Sequence, residues 1–118
     1  QESNVYQLKF GIVSRLAGAD GCGFKDGLGI HAHFCSPDGL AIDADGNILV
    51  ADRFNNAIRR VTPDGLVTTV AGNGQEGDLD GPGSEATFGS PRSITALPDG
   101  RIAVTAWYGA IRIITPDE

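Results

Sequence analysis

The chain has 118 residues, enough for one modest domain, and 41% of them are hydrophobic. Its seventeen glycines and six prolines favour short strands joined by tight turns over helices. The formal charge of −6 and the scattered basic residues argue against phosphate-backbone binding, so no nucleic-acid partner is expected. No apolar run reaches the roughly 18 residues that a membrane span needs, so no membrane partner is expected either.

The N-terminal part divides into residues 1–11 and 12–18. Apolar and polar side chains alternate in Val5–Phe10, which is typical of a strand. Three roles are open for this strand. It can be an arm that contacts a neighbour, an extension of the strand that follows, or a copy of the third strand (strand C) of the repeating unit described below. Ile12–Ala17 is predicted to be a strand equivalent to the fourth strand of that unit.

Residues 19–72 and 73–118 are predicted to be two units, each a linker followed by short antiparallel strands. Strands A to D of the first unit are expected at Gly39–Asp43, Asn47–Asp52, Ala57–Thr62 and Leu66–Ala71. The turns Asp45–Gly46 and Pro63–Gly65 place glycine where a positive φ is needed. The second unit is expected to hold strands A to C and to stop at Ile114–Thr115.

The two units are copies of one repeat. Residues 54 positions apart, and 53 apart after a one-residue deletion near Asn56, give 21 identities in 51 pairs from Val13 to Asp64. A repeat of about 50 residues with four antiparallel strands is the signature of a β-propeller blade. The predicted fold is therefore all-β, with two β-propeller blades per chain.

Three strings in the first unit, residues 37–52, 56–65 and 67–72, resemble the NHL repeat, and so does the linker at 26–37 and again at 80–91. The resemblance runs from Val13 to the end and departs where Ala51–Phe54 becomes Thr105–Tyr108. It implies a scaffold of usually six blades whose one face binds protein or RNA. Relatives with similar propellers are amidating lyases or lactone hydrolases that use metals in the channel.

The phase of the repeat predicts an open ring, because a strand D precedes one ABCD unit and one ABC unit. In velcro closure an N-terminal strand completes the C-terminal blade. Two blades cannot bend round to meet their own ends, so the strand is expected to pair with another chain, head to tail. Three copies would make a six-bladed homotrimer; a filament and a piece of a longer chain are the alternatives.

The first linker concentrates the candidate metal ligands Cys22, His31, His33 and Cys35. If the segment is extended, the last three share one face, and thiolate with imidazole suits zinc. The spacing matches no recognised zinc pattern, so a Cys22–Cys35 disulfide and free thiols are the alternatives. Asp78–Gly81 resembles the opening of a calcium loop but lacks the later ligands, which favours a turn. No cofactor is expected, and zinc or calcium is only a weak alternative.

Propeller geometry places the D-to-A linkers and the B-to-C turns on one face, called the top face from here on. The candidate binding residues there are His31, His33, Arg53, Phe54, Arg92, Trp107 and Tyr108. Tryptophan and tyrosine are enriched at interfaces, although Trp107 could equally pack between blades, and Arg92 could point into the central channel. Asp52 and Arg59 can pair as part of the architecture.

The predicted function is a non-catalytic binding or assembly module that binds itself and a protein or glycan ligand. The alternatives are a metal-dependent lyase or hydrolase with His31 and His33 as ligands, and a structural subunit of an extracellular fibre. No Gly-x-Ser-x-Gly elbow, phosphate loop or His-Glu-x-x-His motif occurs, and no catalytic residue is predicted. The sequence contains no methionine, so we expect that a leader was removed or that the sequence is part of a longer chain. The removed leader would fit an extracellular or otherwise processed protein.

Overall fold

The computed structural model describes residues 4–9, 11–107 and 109–115, and its strands form three antiparallel sheets. The strands are β1 (Val5–Lys9), β2 (Ile12–Ala17), β3 (Gly27–Leu28), β4 (Pro37–Ile42), β5 (Ile48–Asp52), β6 (Ala57–Val61), β7 (Leu66–Ala71), β8 (Ser93–Ala96), β9 (Ile102–Thr105) and β10 (Ile111–Ile114). Two 3₁₀ turns, Gly29–His31 and Arg53–Asn55, are the helical segments of the described residues. Neither they nor any other described segment is a helix suited to crossing a membrane. The predicted all-β class is confirmed.

The central sheet has the order β3-β7-β6-β5-β4. Its four longer strands are the predicted strands A to D in chain order, with bounds that differ from the prediction by two residues or fewer. The fifth strand, β3, was not predicted. It pairs Gly27 with Val67 and Leu28 with Leu66, so a piece of the linker covers the outer edge of β7.

The C-terminal sheet has the order β10-β9-β8 and contains the three predicted strands of the second unit. Its register, from Ile111 opposite Thr105 to Ile114 opposite Ile102, is that of an antiparallel ladder without a bulge. Within the described residues β10 has β9 as its single neighbour, so one edge of β10 carries no ladder.

The N-terminal hairpin consists of β1 and β2, and its register identifies β1. Val5 lies opposite Ala17 and Tyr6 opposite Arg15, with a bulge between them. In the central sheet Ile58 lies opposite Ala71 and the next residue lies opposite Thr69, with a bulge at the same place. Of the three placements of Val5–Phe10, the structure therefore supports the duplicate of strand C over Val5–Lys9; Phe10 lies outside the described residues.

This pairing changes the scheme drawn from the sequence. The order of strand types is C, D, then A to D, then A to C, and not a single D at the N-terminus. We expected β2 to pair with a C-type strand of another chain. In the structure β1 of the same chain pairs with that edge of β2, in the way that β6 pairs with β7.

Two apolar clusters hold the three sheets together. One, between the hairpin and the central sheet, includes Val5, Phe34 and Val50; the other, between the central and C-terminal sheets, includes Leu49, Phe88 and Val104. Strand β5 is buried on both faces because it is packed between the two clusters. The central sheet is therefore the middle layer of a stack, and each cluster joins consecutive repeat units.

The innermost strands β4 and β8 lie close together, and glycine permits this. A Cβ at Gly39 would overlap the carbonyl oxygen of Arg92, so only glycine fits there.

The outward face of the C-terminal sheet is exposed, whereas the corresponding face of the central sheet is covered. Ile58 is fully buried between sheets, and its counterpart Ile111 is 74% exposed.

Candidate functional site

A buried arginine organises the top face of the first unit. Arg59, on β6, is 0% exposed and projects under the linker. Its Nη1 donates to the carbonyl oxygen of His33 at 2.9 Å, and its Nη2 donates to that of Lys25 at 2.8 Å and to Asp26 Oδ1 at 3.0 Å. The guanidinium also lies against two aromatic rings, each with its centroid 4.9 Å away: those of Phe24 and Phe34. The arginine thereby fixes residues 24–34 on the sheet.

Asp52 completes this arrangement. Its Oδ2 accepts a bond from Arg59 Nη1 at 2.6 Å, and both side chains are fully buried. Burial raises the pKa of Asp52, while hydrogen bonds from Asn55, the Cys35 amide and Arg59 act in the opposite direction. The carboxylate joins strand, turn and linker at one point, so the expected Asp52–Arg59 pair is present as architecture.

We call such an arginine, with the carbonyl oxygens and carboxylates that it binds, a node. The second unit has the same node with one change. Arg112 donates to the carbonyl oxygens of Thr87 and Leu79, at 2.7 and 2.9 Å, and to Asp80. The counterpart of Asp52 is Ala106, and the counterpart of Phe24 is Asp78, whose Oδ1 lies 3.4 Å from Arg112 Nη1. A carboxylate lost from the strand is thus replaced by one from the linker.

The top face is built where turns and linkers meet. The amide of Phe54 donates to the Cys35 carbonyl at 3.1 Å, and Asn55 donates to that of Gly23 at 2.7 Å. Asn56, in a left-handed conformation, accepts a bond from the Ser90 amide at 2.9 Å and so reaches the linker of the second unit. These bonds hold the expected binding loops in fixed positions.

The two cysteines are joined in a disulfide, the first of the alternatives that their spacing left open. Cys22 and Cys35 have Cα atoms 4.4 Å apart and close a loop with a sequence separation of 13. Bonded sulfurs do not titrate to thiolates, so neither residue can supply the thiolate that the zinc alternative needs.

The two histidines lie in different environments and are not extended side by side. His31 is exposed in the 3₁₀ turn, whereas His33 is partly buried and forms an isolated antiparallel bridge with Lys25. A Cβ at Gly23 would come within 2.9 Å of His33 Cβ, which shows how closely the two segments pack. The described residues contain no group of three His, Cys, Asp or Glu side chains placed to hold a metal ion. The same holds for Asp78–Gly81, the weak candidate for a calcium loop.

Two aromatic side chains project from the top face, each beside an arginine. Phe54 is 56% exposed with the Arg53 guanidinium 5.2 Å from its ring centroid, and Trp107 is 69% exposed with that of Arg92 at 6.0 Å. Trp107 therefore does not pack between the two sheets, and Arg92 lies beside it. Tyr108 lies outside the described residues.

At the opposite end of the sheets, Asp43 organises the turn between β4 and β5. Desolvation by partial burial would raise its pKa, but bonds from the amide and side chain of Asn47 and from the Asp45 amide, with Arg60 nearby, lower the pKa below its ordinary value. Its Oδ1 accepts the Asn47 amide at 2.9 Å and the Asp45 amide at 3.0 Å. The ionised carboxylate therefore stabilises the turn.

A groove of about 750 Å³ runs beside β10. Ile111–Thr115 form one wall, residues 80–84 form the other, and Val70 and Ala71 of β7 contribute to the lining. In the central sheet the corresponding walls are β6 and β3, and β7 fills the space between them. The groove is thus the position of a fourth strand in the C-terminal sheet.

Sequence reasoning missed the role of Asp26, Asp80 and Arg112 in the two networks that each centre on an arginine. Their signal was available, because the Asp and the Arg recur at the same places in both units. The backbone carbonyls that complete each node leave no signal in the sequence.

Comparison with known proteins agrees with the repeat. The model of the NHL repeat matches residues 34–61. "NHL repeat-containing protein 2" of Bos taurus is 32% identical over 109 residues, which is 84% of this chain and 15% of that protein. The chain thus spans well under a third of the length of this curated relative.

Two solved structures from Bacteroides are similar. One is a structural genomics protein of unknown function from B. thetaiotaomicron, with a TM-score of 0.85 and 33% identity over 94% of this chain and 29% of that one. The other is an auxiliary nutrient binding protein from B. ovatus, with a TM-score of 0.83 and 25% identity over 98% of this chain and 33% of that one. The chain therefore carries an NHL repeat at residues 34–61, and its antiparallel sheets are similar to those of propeller-like proteins.

Proposed function

We propose that this chain is a non-catalytic binding module that presents a protein- or glycan-binding surface on its top face. The observation that carries the proposal is the pair of exposed aromatic side chains, Phe54 and Trp107, each beside an arginine. Large aromatic rings bury much area at little entropic cost, and arginine adds hydrogen bonds of fixed direction.

The surface is supported from below, which favours binding without rearrangement. The turn that carries Phe54 is held by Asp52 and Asn55, and the Trp107 amide donates to the Gly89 carbonyl at 2.8 Å. Loops fixed by buried hydrogen bonds lose little freedom when a ligand binds. The similar structure from B. ovatus is described as a nutrient binding protein, which supports a small or polymeric nutrient as the first ligand class to test.

Self-assembly is the second part of the proposal. Within the described part of the chain no strand covers the outer edge of β10, and this edge, the exposed Ile111 and the groove beside them support pairing with further sheet. We propose a head-to-tail homo-oligomer in which three copies close a six-bladed ring. For the location we propose an oxidising compartment outside the cytosol, and the Cys22–Cys35 disulfide supports it.

The metal-dependent enzyme gains no specific support. Both cysteines are bonded to each other, and His31 and His33 are not joined by further ligands among the described residues.

Affinity electrophoresis tests the binding surface. Native gels cast with dextran or with polygalacturonate would be run with the wild type and with Trp107→Ala and Phe54→Ala. We expect retardation of the wild type by at least one polysaccharide and a loss of about fivefold or more in affinity for each variant. Ile42→Ala is the matched control, since Ile42 is 68% exposed at the opposite end of the sheet and should bind like the wild type. Equal migration of the wild type and Trp107→Ala in every gel would contradict a glycan-binding top face.

A further inference from the structure

The arginines of this chain differ in whether they have an acidic partner. The structure describes all seven, and five of them pair with an aspartate carboxylate: Arg15, Arg59, Arg60, Arg101 and Arg112. The guanidinium groups of the other two, Arg53 and Arg92, form no hydrogen bond or ion pair with any described residue. In a chain with 15 acidic and 9 basic side chains, an arginine without a carboxylate is the exception.

Both unpaired arginines lie on the top face, and each lies over an aromatic ring. Arg53 Cζ is 5.2 Å from the ring centroid of Phe54 and Arg92 Cζ is 6.0 Å from that of Trp107, and both rings are more than half exposed. A cation–π contact holds the guanidinium in place without using its N–H groups, which stay available to a partner from outside. Each pair thus offers a flat apolar surface beside a positive charge that no carboxylate neutralises.

The Arg53–Phe54 pair lies where the linkers of both units meet. The turn Arg53–Asn55 is bonded to the first linker at Cys35, and the adjacent Asn56 is bonded to the second linker at Ser90. Phe54 remains 56% exposed although both linkers contact this segment. Its exposure is therefore set by contacts on both sides of the turn.

The position of Arg92 distinguishes the two units. Its counterpart in the first unit is Asp38, which is also exposed. The two positions are neighbours, because a Cβ at Gly39 would overlap the carbonyl oxygen of Arg92. Asp38 and Arg92 nevertheless form no ion pair with each other or with another described residue. The charge of Arg92 therefore remains available to a ligand, and Asp38 is the acidic position beside it.

These features suit a ligand that combines a flat apolar face with a carboxylate. One face of a sugar ring consists of C–H groups that pack on an aromatic ring, and a uronic acid carries a carboxylate on the same sugar ring. That carboxylate would accept two N–H groups of the neighbouring guanidinium. A nucleic acid presents a dense row of phosphates, which a chain of net charge −6 with two unpaired arginines suits poorly. An acidic peptide supplies carboxylates without a comparable flat face.

We infer that the top face binds an acidic oligosaccharide, and that Arg53 and Arg92 recognise the carboxylates of its uronic acid units. This rests on the proposed binding surface and deepens it, since it names the ligand class and the residues that select for charge. Binding then has two separable contributions. Stacking of sugar rings on Phe54 and Trp107 does not depend on charge, whereas the hydrogen bonds of the two arginines require the ionised acid.

Calorimetric titration with trigalacturonate and with its trimethyl ester tests this inference, because the ester has the same sugar rings without the charges. We expect the wild type to bind the acid about tenfold more tightly than the ester. Arg53→Gln and Arg92→Gln should each weaken binding of the acid about fivefold and leave that of the ester unchanged, whereas Phe54→Ala should weaken both. Arg101→Gln is the matched control and should bind like the wild type, since it removes the same charge from the turn between β8 and β9.

Asp38→Asn tests the charge in the opposite direction. Removing the carboxylate beside Arg92 should strengthen binding of trigalacturonate about twofold and leave binding of the ester unchanged. A merely structural role of Arg92 predicts no such gain, so an unchanged affinity for the acid in Asp38→Asn would count against recognition at this position.

The outcomes separate this inference from the proposed surface. If the acid and the ester bind equally and Phe54→Ala weakens both, recognition of the carboxylate is wrong and the glycan-binding face stands. The same holds if neither binds but a dextran gel retards the wild type. If neither binds and no polysaccharide gel retards the wild type, both are wrong. Tighter binding of hexaglutamate or of a uridine decanucleotide than of trigalacturonate would assign the face to a peptide or to RNA and overturn the acidic oligosaccharide.

Discussion

Replacing Asp52 by alanine removes the acceptor that joins β5, the following turn and the linker. Arg59 would keep Asp26 and two carbonyl oxygens, but the Cys35 amide, 2.9 Å from Asp52 Oδ1, would lose its partner. Breaking a fully buried ion pair by removing one member costs about 3–5 kcal/mol. Since small domains are stabilised by roughly 5–15 kcal/mol, Asp52→Ala should take away about a fifth of the stability or more.

The second unit suggests how this loss can be reversed. There Ala106 occupies the position of Asp52, and Asp78 occupies that of Phe24 and pairs with the arginine. The double variant Asp52→Ala with Phe24→Asp transfers this solution to the first unit. We expect it to recover about 1–2 kcal/mol relative to Asp52→Ala alone, since a charge-assisted bond to the guanidinium returns while the Phe24 ring is lost.

Urea denaturation followed by far-ultraviolet circular dichroism measures these differences in the free energy of unfolding. Fluorescence of Trp107 is a poor probe because the side chain is 69% exposed. The control is Asp99→Ala, which removes an exposed ion pair with Arg101 and should change the stability much less than Asp52→Ala does, because solvent screens an exposed pair. A loss below about 1 kcal/mol for Asp52→Ala, or no recovery in the double variant, would refute the structural role assigned to the node.

Two further predictions concern pH and redox state. The folded-state pKa of Asp43 is lowered, so its contribution to stability is present above the ordinary pKa of about 3.9 and is lost as the pH falls through the lower folded value. The stability difference between the wild type and Asp43→Asn should thus be constant above about pH 5 and shrink in stronger acid, as pH-resolved urea titrations would show; a difference that grows in acid would mean the opposite shift. The double variant Cys22→Ser with Cys35→Ser should lose about 3 kcal/mol, the effect expected for a loop of this length, in the same unfolding assay, and an unchanged midpoint would contradict a stabilising bond.

The repeat and its strands could be predicted because they depend on local features of the sequence. Short apolar segments indicated β5 and β6, and turn residues such as Gly46 and Gly65 marked their ends. β3 could not be predicted, since a two-residue strand that contains glycine has no alternation to read.

The pairing of β1 was left open for a different reason. Its sequence has tyrosine where the other C-type strands have arginine, so comparison with the repeat could not identify it, and only the register with β2 does. At the candidate site, the exposure of Trp107 depends on which sheet faces surround it, and that is a tertiary property. The disulfide was one of several alternatives until the distance between Cys22 and Cys35 was known.

The contacts described for Arg59 and for Arg112 each lie within one continuous stretch of sequence, from Phe24 to Arg59 in one unit and from Asp78 to Arg112 in the next. A tandem gene duplication with breakpoints between these stretches copies a complete network and splits none. Ring proteins can then gain or lose repeats while every unit keeps its own polar anchor, and the contacts between units, apolar or polar like the Asn56–Ser90 bond, have to be refitted. The fourth strand contributes little more than Thr69 to this anchor, which makes it the segment that can be supplied from elsewhere.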